Sequence, residues 1–387
     1  MSNSNGVKIG IDARFYGSLS KGLGRYTQKL IENLEKIDNA NEYFVFLREE
    51  NFDEYQPKNK NFTKVKADYR WYTLSEQINM PRLLNKYNLD LVHFPHFNVP
   101  LFYRKKFVIT IHDLILIHFP TTRGTTLNPL FYWLKFLAYK IVINSAIKRA
   151  RKIIAVSEFT KSDILKHYSV PDNKIAVTYE ACDQLPPVSA ENSGDKLKKY
   201  GIIKPYILYV GNAYPHKNLE ALVLSFVEIK SLTPALSRGG KGISNLKLVL
   251  VGKEDYFYQR LKKLVAEKNI ENVIFAGYVP DSDLDAIYRN SELYIFPSLY
   301  EGFGLPPLEA MAKGVPVTSS DHDCMKEILG DSAYFFNGRD IKSLTAAVAK
   351  ALEDGELRNK LIARGYEQIK KYSWEKMAEK TLEIYKK

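Results

Sequence analysis

Residues 293–319 read LYIFPSLYEGFGLPPLEAMAKGVPVTS, and their order decides the fold. The apolar run 293–297 is short and ends in Pro297, as a buried strand does. A glycine-containing loop carries Glu301. Leu305 or Pro306 then opens a helix, because proline is tolerated in a first turn. Glu309 falls about one turn inside that helix. A second apolar run, 315–319, follows Gly314. Strand, loop, helix, strand is the unit from which parallel sheets are built.

The same alternation runs outward from this unit. After it, helices are expected over 341–353, 356–371 and 374–385. Before it lie strands at 206–211, 247–252 and 273–275, with helices over 218–229, 254–268 and 282–290. The first half repeats the pattern without repeating the sequence. A strand at 7–12 leads through a glycine turn to a helix over 24–36. Short β-rich runs follow at 43–47, 91–94 and 107–111, then a long helix over 128–151 and strands at 152–156 and 174–179. Between the halves, 184–195 (QLPPVSAENSGD) offers little to bury and reads as a linker. Residues 232–243 (LTPALSRGGKGI) exceed the usual short connection and read as a solvated insertion with no catalytic role. The expected fold class is α/β, with two doubly wound domains, 1–185 and 196–372. Such domains bind ligands outside the carboxyl ends of their strands, so the site is expected in the cleft where the two domains face each other.

Composition agrees with two domains. The chain has 387 residues, 45% apolar and 26% charged, which excludes a disordered or fibrous chain. Two cysteines, Cys182 and Cys324, build neither a disulfide framework nor a structural zinc site. MSNSNGVKIGID lacks a basic segment followed by an apolar one, so no secretion signal is read. In the apolar stretch 127–147, Asn128, Pro129, Lys135, Lys140 and Asn144 interrupt what a spanning helix needs. A soluble, cytoplasmic protein is expected. The net charge of +12 is uneven: 27 basic and 18 acidic residues in 1–190 (+9), against 29 and 26 in the rest (+3). No nucleic-acid-binding motif accompanies it. An anionic lipid or phosphate partner remains, beside the plainer reading of a solvated basic surface.

Four segments carry candidate chemistry. In EGFGLPPLE, the amides of Phe303, Gly304 and Leu305 stand where a helix start offers donors to an anion, flanked by Glu301 and Glu309. Carboxylates suit sugar and ribose hydroxyls; the plainer reading is a helix whose acids favour its N-terminus. In GNAYPHKN, Gly211 follows a strand, Asn218 can cap a helix, and His216-Lys217 stand before it. Lys217 there suits a diphosphate, or is an ordinary surface charge. In GSLSKGLGRYT, Gly22 and Gly24 permit close backbone approach but lack the third glycine of a dinucleotide fingerprint. His112 follows the strand 107–111, where it can bond a sugar hydroxyl, stabilise charge, or simply bond the backbone. The strings Asp281-Ser-Asp283 and Asp321-His-Asp323 allow a divalent ion, but acids at a helix start explain the first as well. No metal site is expected. Walker A, G-x-S-x-G and H-E-x-x-H strings are absent.

Together these segments resemble the retaining nucleotide-sugar glycosyltransferases of family 4, of GT-B architecture. Glu301…Glu309 matches that family's E-x7-E motif. GIDAR, GLGRYT, HFPHFNVP, TIHDL, VSEFTKSDI, YVGNAYPHKN, FAGYVPDSDL and SWEKMAEKTLEIY extend the match over nearly the whole chain. The resemblance implies Lys217 on the donor diphosphate, Glu309 on the ribose and Glu301 on the transferred sugar. It implies backbone around Phe303–Leu305 at phosphate and sugar, and backbone around Tyr278 at the base. His112 is implied near the sugar, Gly22 and Gly24 near the diphosphate, and Gly211 and His216 in the donor loop. It also implies that the final helix, within 373–387, crosses back to the first domain. The best-matching subgroup resembles mannosyltransferases of bacterial surface polysaccharides, which favours GDP-mannose over a UDP-sugar.

The implied partners are a nucleotide-sugar donor and a saccharide acceptor, with no cofactor and no metal. The basic first domain and the helix over 131–150 suggest a lipid-linked acceptor at the inner membrane face. The alternative is a core helix whose lysines reach past it to solvent. Two departures stand out. Where the family often carries arginine, this chain has Asn212 and His216, so one positive charge near the leaving group is either missing or dependent on protonation, with Arg25 and Arg14 as candidates to supply it. Tyr179-Glu180-Ala-Cys-Asp183 stands where relatives carry Asn-Gly-Val-Asp. A sugar-nucleotide epimerase and a catalytically silent sugar-nucleotide-binding module are the rival classes.

Overall fold

The computed structural model describes residues 6–17, 21–120, 128–183, 193–236 and 245–386. Most of the linker 184–195 and of the insertion 232–243 lies outside them. Among the described residues, those of Met1–Pro120, Leu127–Glu180 and Ser373–Lys387 form one compact unit, and those of Ala181–Tyr372 the other.

The first unit is a seven-stranded sheet of β1 (Lys8–Asp12), β2 (Glu42–Leu47), β3 (Phe62–Lys66), β4 (Leu91–Phe94), β5 (Phe107–Ile111), β6 (Lys152–Ala155) and β7 (Ile175–Val177). Its order is β3-β2-β1-β4-β5-β6-β7, and every pairing is parallel. The helices are α1 (Lys21–Ile37), α2 (Leu74–Lys86), α3 (Ile115–His118), α4 (Pro129–Arg149) and α5 (Glu158–His167). Parallel strands are covered on both faces, so they read as apolar runs; all five residues of β5 are buried. β3 was not read from the sequence. It is an edge strand, FTKVK, with only Phe62 and Val65 buried, too mixed to stand out.

The second unit is a six-stranded parallel sheet. It comprises α6 (Ser193–Lys199), β8 (Tyr206–Val210), α7 (Leu219–Leu236), β9 (Lys247–Val251), α8 (Tyr256–Glu267), β10 (Val273–Gly277), α9 (Asp281–Arg289), β11 (Leu293–Phe296), α10 (Leu305–Ala312), β12 (Val317–Ser320), α11 (Asp323–Leu329), β13 (Ala333–Phe336), α12 (Ile341–Glu353) and α13 (Gly355–Ile369). The order is β10-β9-β8-β11-β12-β13. The last helix, α14 (Trp374–Lys386), belongs to the first unit. Buried Tyr385 anchors it: its hydroxyl lies 2.6 Å from Nδ1 of His93, whose Nε2 lies 2.8 Å from Thr110 Oγ1.

Two expectations need correction. The helix read over 24–36 begins at Lys21, so Gly22 and Gly24 lie inside its first turn and not in a loop ahead of it. The helix read over 128–151 is not a core helix in its first half. Asn128 caps it by accepting from the Leu130 amide, and Lys135, Lys140 and Asn144 do not break it. Leu130, Phe131, Trp133, Leu134, Leu137 and Ile141 are 49–68% exposed, while burial sets in at Ile143, Ala146 and Ile147. Among the described residues this is the one helix long and apolar enough to cross a membrane by length and composition, and only 22% of its most apolar 18-residue stretch is buried.

Candidate functional site

In the second unit the decisive loop lies between β11 and α10. Gly304 is the residue before α10 and takes φ +90°, the left-handed region that suits glycine. A Cβ there would also come within 2.7 Å of Met325. Pro306 and Pro307 occupy the first turn, where a missing N–H costs nothing. The side chains of Phe303 and Leu305 are buried, so only backbone at these positions can meet a ligand. Phe303 packs edge-on against Tyr372, with ring centres 5.5 Å apart.

The second loop, after β8, is held by tyrosines. Tyr258 donates to the Gly211 carbonyl at 2.8 Å, and Tyr209 to the Asn212 carbonyl, also at 2.8 Å. Gly252 packs so closely that an added Cβ would lie 2.0 Å from the Gly211 oxygen. A single 3₁₀ turn, Pro215–Lys217, follows. Asn218 does not cap α7 as expected. It takes φ +60°, and its side-chain amide donates to the Gly338 carbonyl at 2.8 Å. The Leu299 amide donates to the His216 carbonyl at 2.7 Å and joins this loop to the one carrying Glu301.

These loops bring Lys217 and Glu301 together, with Nζ donating to Oε1 at 2.5 Å. Both side chains are largely buried, 15% and 10% exposed. Burial alone would raise the Glu301 carboxyl; the Lys217 ammonium outweighs it and holds the group below the usual carboxylate range. Glu309, half-buried on α10, accepts from the Tyr288 hydroxyl at 3.1 Å. Tyr278 is exposed just past the end of β10. His216 is not a reserve cation: burial, helped by neighbouring Lys217, pulls it down to about 4, so it is neutral at neutral pH.

The first unit carries His112, Gly22 and Gly24. Tyr26, on the first turns of α1, sets its ring edge-on to His112 at 4.7 Å and shares a 3.0 Å hydrogen bond with Thr110. The His112 ring is engaged at both nitrogens: Nδ1 lies 2.9 Å from Glu180 Oε1, and Nε2 lies 3.0 Å from the Pro95 carbonyl oxygen. Burial favours the neutral ring, but Glu180 and that carbonyl together raise its pKa. Both ring nitrogens of His112 therefore face acceptors, an arrangement that favours the protonated ring. Glu180 is the partner that the sequence did not pair with it.

Arg14 does not supply a missing positive charge either. It is fully buried, with Nη2 2.7 Å from both Asp12 Oδ2 and Glu76 Oε1. Glu76 also accepts from Asn98 and from the Tyr72 amide, so this network fixes the backbone beyond β1. Of the D-x-D strings, Asp283 is bound by Lys199 and Tyr200, as a structural acid is.

Two parallel α/β units, with a lysine–carboxylate pair and a second glutamate at the carboxyl ends of strands, define the GT-B class of glycosyltransferase. A family model described as "Glycosyltransferase Family 4" matches residues 20–184, and one described as "Glycosyl transferases group 1" matches 195–368. The chain belongs to glycosyltransferase family 4. It is 29% identical to O-antigen chain mannosyltransferase B of Escherichia coli, over 94% of this chain and 96% of that one. It is 28% identical to the O-antigen chain mannosyltransferase RfbU of Salmonella typhimurium, over 72% and 69%. Among solved structures it resembles sucrose-phosphate synthase from Thermosynechococcus elongatus, with a TM-score of 0.73 at 18% identity and 98% of each chain covered; that likeness speaks for the fold.

Proposed function

We propose that this protein transfers mannose from GDP-mannose, with retained anomeric configuration, to a hydroxyl of a growing lipid-linked saccharide in surface-polysaccharide synthesis. The observation that carries the reading is the buried Lys217–Glu301 pair ahead of α10, with Glu309 one turn further. The choice of mannose is supported by the two relatives named as O-antigen mannosyltransferases.

In this reading Glu301 is the counter-ion of Lys217 until a donor arrives. The donor diphosphate then takes the ammonium, and Glu301 turns to the sugar hydroxyls. The acceptor oxygen bonds to the anomeric carbon as the bond from that carbon to the diphosphate breaks. The acceptor proton passes to a donor phosphate oxygen. Lys217 and the amides at the start of α10 offset the charge of the leaving group, so the step needs no metal. Glu309 holds the ribose.

Thermal melting with GDP, UDP, ADP and their sugar nucleotides tests the donor site, on wild type and Glu309→Ala. A ligand at 100 times its Kd adds about 2.7 kcal/mol. GDP and GDP-mannose are expected to stabilise the wild type and much less the variant. A shift with UDP alone would replace the donor by a UDP-sugar. No shift with any nucleotide would favour a silent module, and free sugar or epimer formed without acceptor would favour the epimerase.

Membrane contact is supported by α4. Its exposed apolar residues are interleaved with exposed Lys135 and Lys140. Exposed Phe102 stands beside exposed Arg104, Lys105 and Lys106, and Arg149 at the end of α4 donates to the Leu101 carbonyl. An apolar face bordered by cations suits an anionic bilayer surface at the cytoplasmic side, with the helix lying on it. Flotation with anionic liposomes is expected to carry the wild type and to fail for Leu134→Glu/Leu137→Glu. Equal flotation of both proteins would remove α4 from the contact.

A further inference from the structure

The chain has seven histidines, and the two exposed ones meet at one place. His118 ends α3; His167 ends α5, four residues and one helical turn after Asp163. Of the other five, His93, His96 and His216 are held neutral by burial, His112 is bound to Glu180, and His322, partly buried, packs against Tyr300. Asp163 is 3% exposed and turns both oxygens to His118 Nε2, at 2.8 and 3.0 Å; its Oδ1 lies 3.3 Å from His167 Nδ1. One atom from each of the three side chains lies within 4.8 Å of the others.

We propose that His118, Asp163 and His167 form a site for one borderline divalent transition-metal ion of the Zn²⁺ class. Zinc bonds of about 2.0–2.2 Å place tetrahedral ligands roughly 3.4 Å apart. The two Asp163–imidazole distances already fall near that value, and two exposed rings can close the third. His167 Nδ1 also lies 2.9 Å from the Asp163 carbonyl oxygen, so ligation through Nδ1 exchanges that hydrogen bond for the metal and leaves the ring proton on Nε2. Two imidazoles and one carboxylate suit zinc, cobalt or nickel; magnesium and calcium prefer all-oxygen sets. A fourth position stays open to water.

The ion's role follows from what α5 already grips. Thr160 donates to the His112 carbonyl at 3.3 Å, and Asp163 holds His118, so α5 clasps the segment 112–118 at both ends. A metal at the second clasp would turn a hydrogen bond into a cross-link and steady the segment that carries His112. It takes no part in bond breaking.

The test uses untagged full-length protein, stripped with a chelator and then dialysed against Zn²⁺ or Co²⁺. Bound metal is measured by elemental analysis, and Co²⁺ also by its visible d–d bands. One equivalent is expected, with a rise in melting temperature that Mg²⁺ does not give. His118→Ala and His167→Ala should each weaken binding at least tenfold and abolish that rise. Both residues are exposed, and melting without metal checks that each variant is folded. No bound metal in the wild type, or binding unchanged in the double variant, would overturn the site.

Discussion

The two units each place a histidine past the carboxyl end of a strand, and they shift its pKa in opposite directions. His112 faces the Glu180 carboxylate and the Pro95 carbonyl, and its pKa is raised. His216 is buried beside the Lys217 ammonium and is kept neutral, down at about 4. Both are well screened from water, so desolvation alone would treat them alike. The partner decides, and it outweighs burial in one unit and reinforces it in the other. A protonation-dependent charge on His216 is therefore not available in the second unit at neutral pH, where Lys217 is the cation of this loop.

The sharpest way to break this comparison is to remove Lys217. Lys217→Met leaves Glu301 buried without its counter-ion, which costs about 3–5 kcal/mol. Transfer turnover should fall about 100- to 1000-fold. In the double variant Lys217→Met/Glu301→Gln, denaturant unfolding should show much of the stability restored while turnover stays low. Turnover returning together with stability would make Lys217 a structural residue only.

A smaller effect separates the two histidines directly. In a histidine NMR titration, His112 should stay protonated above the usual value of about 6.5. His216 should stay neutral until about pH 4. The signs for stability are opposite. His112 has a raised folded pKa, so its contribution is fully present below about pH 6.5 and is lost as pH rises through the folded value. His216 has a lowered one, so its contribution is present above about pH 6.5 and is lost as pH falls toward its folded value. Glu180→Gln should bring His112 down toward or below the ordinary value and leave His216 unmoved. A shift of both histidines would mean that the two do not respond to their local partners.

The smallest expected effect lies at the chain's end. Tyr385→Phe removes the hydroxyl that bonds His93, and one buried hydrogen bond lost with its partner left behind costs about 1–3 kcal/mol. Urea unfolding should show that loss with transfer turnover unchanged. Unchanged stability would mean that α14 is held by its apolar face alone.

Much of the architecture was legible. The central strands are sealed on both faces, so nearly every residue in them must be apolar, as in Phe107–Ile111 and Leu293–Phe296. The Glu301 loop was legible because strand, turn and helix signals follow one another without a gap. Where only one edge is sealed the signal weakens, and β3 passed unread. The start of α1 was placed late because glycines look like a loop, although α1 continues through Gly22 and Gly24.

By itself the sequence determined the two α/β units, the loops bearing Lys217, Glu301 and Glu309, and the half-apolar, half-cationic character of α4. Those features are written in neighbouring residues, because local periodicity and turn chemistry act over a few positions. Only the tertiary structure decided that Glu180 meets His112 across 68 residues, that Arg14 is consumed by Asp12 and Glu76, and that Tyr385 reaches His93 across 292. Ionisation and pairing depend on distances of a few ångströms between groups remote in the chain. No spacing along the sequence carries that information until the sheets have closed.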